Sequence, residues 1–150
     1  MRKIIYTTVI FIALFLMVFT VFSRPLQSTV FTINGYQLTV EKAETPQQKT
    51  QGLSGRKSMQ EDQALILVYQ KEQPLGIWMP DMHFPLDIFW LDKNCRIVAI
   101  RENVPPCQPN QACPVMTPEQ PAQYVLETVA GFAKKHQLRL GETIACRAKT

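Results

Sequence analysis

The chain has 150 residues and a mass of 17.2 kDa, with 46% apolar and 19% charged residues. That is globular composition. It excludes a long disordered chain and the collagen-like, coiled-coil and multi-span membrane classes. Arg2 and Lys3 supply two of the formal +4, leaving 14 basic against 12 acidic residues after residue 23, with no Lys/Arg run interleaved with aromatics. Nucleic-acid binding is therefore not indicated.

Ile4–Phe22 is a run of 19 residues without a charge, directly after Met1-Arg2-Lys3. As a helix it would span roughly 28 Å, close to the hydrocarbon thickness of a bilayer. Basic residues stay cytoplasmic, so the reading is export of everything after Phe22. The segment is an uncleaved anchor or a signal peptide cut after Ser23. Its length favours the anchor, because signal h-regions usually reach only about 7–15 residues. No cysteine follows it closely, which argues against a lipoprotein. The expected organisation is an anchor or signal over 1–23, a linker over 24–29 and one domain over 30–150. The 127 residues after Ser23 are enough for one core. The expected site is the inner membrane, with the domain on the periplasmic or extracytoplasmic side, or a secreted domain if Ser23 is the cleavage site.

Four cysteines, at 95, 107, 113 and 146, read as disulfides in an oxidising compartment. Three connectivities are possible. Cys107–Cys113 with Cys95–Cys146 is favoured: the first pair brackets a Pro-rich loop and the second joins two expected strand edges. Cys-x5-Cys is not a zinc knuckle, no paired histidines accompany it, and there is no CxxC redox motif. No cofactor is expected.

In chain order, Val30–Ile33 and Tyr36–Val40 flank Asn34-Gly35, a strong hairpin signal. Thr45-Pro46-Gln47-Gln48 starts a helix, with Thr at the N-cap, Pro at N1 and Gln closing a capping box; Gly52 ends it. Ala64–Tyr69 reads as a buried strand. Gly76–Met79 and Asp87–Leu91 read as two more, and Asp92-Lys93-Asn94 as a turn into Arg96–Arg101. Val104–Pro121 carries six prolines and can be neither helix nor central strand. Tyr124–Val129 is a strand, Ala130–His136 a short helix and Thr143–Arg147 a last strand. The expected fold is mostly β: a compact antiparallel barrel-like or sandwich domain with two short helices, behind one N-terminal membrane helix.

Taken together, Gly52-Leu53-x-x-Arg56, Trp78-Met79, Pro85-Leu86-Asp87-Ile88, Pro105-Pro106-Cys107 with Cys113, Tyr124-Val125-Leu126-Glu127, Gly131 and Gly141 resemble the domain-of-unknown-function 192 (DUF192) family. These are small exported or membrane-anchored prokaryotic proteins. The resemblance runs from about Phe31 to about Arg147. It implies a compact β-rich fold and brings no established activity. The chain departs from the family pattern at Ser54, where Met is common, and at Cys95, where a turn Gly is common. The latter suits a second disulfide with Cys146.

Three chemistries compete. Arg56, Asp87 and Glu127 are the polar residues inside the motifs. Glu127 shares a strand face with Val125 and Val129, and a carboxylate there must be paired or neutral. Arg56 is its expected partner, by bidentate pairing. Read structurally, these residues fix the fold; read as a hydrolase or lyase, they are acid, base and anion clamp. Met79, Met82 and His83 suggest a soft-metal site of the Cu(I) type, although Met and aromatics are more often core. The Gly52–Arg56 stretch fails as a nucleophile elbow, because a helix rather than a strand precedes Ser54. The third chemistry is binding. Gln108, Asn110, Gln111 and Gln120 offer amides on the Pro-rich loop, and Trp78, Met79 and Tyr124 an apolar and aromatic surface. A pinned loop on a β scaffold is where binding usually resides. The leading expectation is a non-enzymatic module for a cell-envelope ligand or protein partner, glycan or peptide, tethered to the membrane by its N-terminal helix.

Overall fold

The computed structural model describes residues 26–146. The segment Ile4–Phe22 lies outside them. Among the described residues no helix is long and apolar enough to cross a membrane.

Six strands form one sheet: β1 (Gln27–Ile33), β2 (Tyr36–Ala43), β3 (Gln63–Gln73), β4 (Leu86–Leu91), β5 (Ile97–Val104) and β6 (Ala122–Val129). Two short helices accompany it, α1 (Pro46–Gln51) and α2 (Phe132–Lys135). The strand order is β1-β2-β3-β6-β4-β5. The sheet is open, with β1 and β5 as its edges. This corrects the expected barrel or sandwich.

Local chemistry explains most of these elements. Asn34 and Gly35 both have positive φ, 49° and 81°, which a two-residue hairpin loop of the primed kind requires. The Thr45 hydroxyl accepts from the Gln48 amide at 3.2 Å, and the Gln48 side chain accepts from the Thr45 amide at 3.0 Å. That reciprocal cap holds a helix of six residues, too short to persist alone. Thr45→Ala should lower stability by about 1 kcal/mol. A urea midpoint that falls at constant slope would show it, and an unchanged midpoint would show that α1 is held by packing instead.

The pairing is mostly antiparallel, as expected, with one exception. β2 and β3 are parallel, with Glu41 opposite Leu65 and Ala43 opposite Leu67. The chain from 44 to 62, including α1, is the crossover that parallel neighbours need. The expected strands at Gly76–Met79 and Thr143–Arg147 are reduced to single bridges, Ile77 with Met116 and Arg96 with Thr143. Pro74 and Pro80 flank the first and cannot donate to a longer ladder.

Both faces of the sheet are covered. Leu38, Ile66, Phe89 and Leu126 point to one face, under Phe132, Leu138 and Ile144. Leu65, Leu67, Ile88, Trp90 and Val125 point to the other, under Leu53, Leu75, Ile77 and Met79. Burial on both sides explains why β4 is buried at every position and, apart from Asp87, apolar throughout instead of alternating. Trp90 is 1% exposed and donates its indole N–H to the Leu75 carbonyl at 2.8 Å, pinning the irregular cover of the second face.

The disulfides are Cys95–Cys146 and Cys107–Cys113, with Cα separations of 5.5 and 5.3 Å. This is the favoured connectivity. The long bridge ties the β4–β5 turn to the C-terminal segment. The short one staples the Pro-rich loop.

Candidate functional site

β6 runs between β3 and β4, so its side chains enter the middle of both layers. Glu127 lies opposite Leu65 on one side and Ile88 on the other, and both of those are 0% exposed. Glu127 itself is 6% exposed. Its carboxyl accepts no hydrogen bond from a described residue. No fully enclosed side-chain oxygen among the described residues lacks a partner, so the Glu127 oxygens open to a cavity. Burial pushes its pKa up to about 7, and the charge of Arg56 pulls the other way.

That cavity measures about 70 Å³. It is lined by Glu127, Leu53, Leu67, Ile77, Met79 and Leu86, together with Lys49, Tyr69 and Trp78. Lys49 is turned aside. Its ammonium donates to the Val68 carbonyl at 3.0 Å and lies 4.4 Å from the Tyr69 ring centre.

Three local ties set the walls. Ser54 donates its hydroxyl to the Pro80 carbonyl at 2.9 Å, and the Gly55 amide donates to the Asp81 carbonyl at 2.8 Å. Ser54 is thereby a clasp and has no base beside it. The Cys107 amide donates to the Met79 carbonyl at 3.1 Å, and Ile77 and Met116 exchange backbone bonds of 2.9 and 2.8 Å. The stapled loop therefore backs the segment that lines the cavity. Gly76 lets the two segments approach closely, since an added Cβ would lie 2.7 Å from the Val115 side chain, which would have to move. The antiparallel bridge sets Trp78 opposite Val115; they are 52% and 63% exposed, an apolar lip.

Arg56 does not make its expected pair with Glu127. Its guanidinium grips Glu41 through two bonds of 2.7 Å. Glu41 and Glu127 flank Leu65 on one sheet face, so Arg56 acts on both but bonds only the outer one. Glu41 is half-buried and keeps water contact, so pairing there leaves less charge to desolvate. The hydrogen bonds from Arg56 hold the Glu41 pKa below the usual carboxylate value.

Asp87 is fully buried, but on the other face. It lies opposite Thr128, whereas Glu127 lies opposite its neighbour Ile88, and successive strand residues point to opposite faces. Its two oxygens accept from the Asn103 and Ala133 amides, each at 2.8 Å. Asp87 thus ties β4 to β5 and to α2, and no single pocket holds both carboxyls.

The remaining candidates divide. Met79, Met82 and Trp78 line the cavity. Tyr124 is buried in the opposite layer. Gln108 and Asn110 are exposed on the stapled loop, outside the cavity lining. His83 is exposed and lies 4.0 Å from Asp81. Among the described residues no group of three His, Cys, Asp or Glu could hold a metal ion. Sequence reasoning missed Glu41, Lys49 and Tyr69. Glu41 lies one residue past the expected end of β2, and only the strand register sets it beside Glu127.

Residues 29–146 match the family model DUF192, described as "Uncharacterized ACR". The chain belongs to the DUF192 family. Two crystal structures resemble this DUF192 protein. One is a "putative transcription regulator" from Sinorhizobium meliloti 1021, 27% identical, with a TM-score of 0.73 over 82% of this chain and 96% of that one. The other is a protein of unknown function from Novosphingobium aromaticivorans DSM 12444, 22% identical, with a TM-score of 0.72 over 82% of this chain and 93% of that one. No curated protein matches the chain.

Proposed function

We infer that this DUF192 protein is an exported, membrane-anchored binding module, and that the cavity at Glu127 receives a small group of a cell-envelope ligand or partner protein. The supporting observation is the buried Glu127 carboxyl, which accepts no hydrogen bond from a described residue and opens to the cavity. A buried polar group normally has a partner, and here a ligand would supply it. Export and anchoring rest on the charge-free run Ile4–Phe22 behind Arg2-Lys3.

The alternative, an envelope hydrolase or lyase using Asp87 and Glu127, has weaker support. Acid and base must reach one substrate, and these two face opposite sides of the sheet. The transcription-regulator wording attached to the Sinorhizobium protein also has little support in this chain, with 14 basic against 12 acidic residues after residue 23.

The test is native mass spectrometry of the full-length protein taken gently from its own membrane, beside Trp78→Ala prepared identically. The expected wild-type spectrum carries extra mass that leaves on denaturation, and the variant loses it. Extra mass carried equally by both would rule out this cavity as the site.

A further inference from the structure

The cavity at Glu127 has a mixed lining, apolar side chains together with polar and charged groups such as Gln51, Ser54 and Glu127. Its volume of about 70 Å³ corresponds to about five water-sized positions. A sugar ring is too large for it, and the end of a linear chain fits. Leu53, Leu67, Ile77, Met79 and Leu86 offer methylene-compatible walls, and Trp78 and Val115 form an apolar lip outside. The Glu127 carboxyl is the acceptor at the bottom, more than nine-tenths buried and unclaimed by any described donor. An ammonium is a compact point charge with three donors on a flexible stem. The mouth already stabilises one such group, because the Lys49 ammonium rests against the Tyr69 ring and the Val68 carbonyl.

We propose that the Glu127 cavity is a receptor for a lysine-type side chain, a primary ammonium on a slender alkyl stem, presented by a peptide or protein partner. The proposal rests on the binding-module reading above and names its ligand class. The stem lies along the apolar walls, the ammonium donates to Glu127, and the partner's backbone rests on Trp78 and Val115. Amino sugars and the ethanolamine headgroup share the ammonium but not the stem. The first carries it directly on a ring, and the second would bring a phosphate against the apolar lip.

Recognition depends on pH, because the ammonium needs Glu127 ionised. The charged or titratable groups around it are Arg56, Glu41, Lys49 and Tyr69, with Asp81 and His83 on the adjoining turn. Arg56 and Tyr69 are pushed up and Glu41 down, all away from neutrality. The same pH dependence should persist in a His83→Asn background.

The experiment uses the full-length protein in detergent and follows tryptophan fluorescence, with Trp78 as reporter. The probes are Nα-acetyl-lysine amide, the uncharged isostere Nα-acetyl-norleucine amide, glucosamine and glycerophosphoethanolamine. The lysine derivative should bind saturably and at least tenfold more tightly than every other probe at pH 8. Its affinity should rise about tenfold from pH 6 to pH 8, as a carboxyl titrating near 7 ionises. Glu127→Gln, whose folding is checked by circular dichroism, should bind lysine and norleucine derivatives alike. Equal binding of the two by the wild type overturns the proposal, as does tighter binding of glucosamine or the phosphoethanolamine, or unchanged lysine affinity in Glu127→Gln. Should the lysine derivative fail while the natively bound mass still depends on Trp78, only the ligand class falls. Should that mass ignore Trp78, the cavity itself falls.

Discussion

Asp87→Ala should lower the unfolding free energy by about 4 kcal/mol, a large share of the stability of a small domain. Each Asp87 oxygen accepts one buried or part-buried backbone N–H, from Asn103 and Ala133. Removing the carboxylate strands both donors, and a hydrogen bond to a charged group contributes about 1.5–3 kcal/mol. Asp87→Asn should cost about half as much, because its oxygen can still accept one bond while its NH2 group meets the other N–H. Urea unfolding of both variants would measure this. A loss below 1 kcal/mol for the alanine variant would show that water replaces the carboxylate and that Asp87 is no structural tie. The same series separates the roles of the two buried carboxyls, since removing the Asp87 carboxylate should destabilise the fold and removing the Glu127 charge should not.

Glu127→Gln should have the opposite sign. The Glu127 pKa rises from 4.5 to about 7 on folding, chiefly by desolvation. Between these values the folded state binds more protons than the unfolded one, so stability falls as pH rises. Below pH 4.5 both states are protonated and the carboxyl contributes no difference. Above 7 the full penalty is present, on the order of 3 kcal/mol. The Gln variant lacks this titration. It should match the wild type near pH 4 and exceed it by about 3 kcal/mol near pH 8. Glu41 works in the other direction and in another window. Its lowered pKa gives a stabilisation present above about 4.5 and lost only as pH falls through the folded value. Melting curves of wild type and Glu127→Gln from pH 4 to pH 8 would settle the sign. Curves that stay parallel across that range would sink the claim that Glu127 is kept at a cost to the fold. If the prediction holds, the site carries a charge that destabilises the empty protein and that a bound cation would relieve, a common arrangement at binding sites.

Much of the frame was legible because its signals are local. Asn34-Gly35 dictates a hairpin through backbone conformation, and Thr45 with Gln48 dictates a helix start through two reciprocal bonds. The apolar runs at Ala64 and Asp87 carry β-strands through burial on both faces. The two disulfides followed from compartment, loop and strand edges. What stayed hidden is non-local. Nothing within β2 or β3 announces that they run parallel, and nothing within β6 says that it lies between β3 and β4. The face of Glu127 was readable from Val125, but its relation to Asp87 needs the register between two strands. Arg56 was matched to the wrong carboxylate for the same reason. Glu41 becomes its neighbour only once β2, β3 and β6 are laid side by side, in the row Glu41–Leu65–Glu127.

The placement of β6 bears on how such a domain can be made. Strands β1 to β3 pair with one another, and so do β4 and β5, but the two groups share no ladder except through β6. Residues 122–129 follow both groups in sequence. Until they emerge, each group has an unpaired inner edge and an uncovered apolar surface, and pairings this distant in sequence form slowly. The six-stranded sheet can therefore close only once β6 is available. If the chain is exported through a narrow channel, late completion keeps it threadable until its tail has crossed.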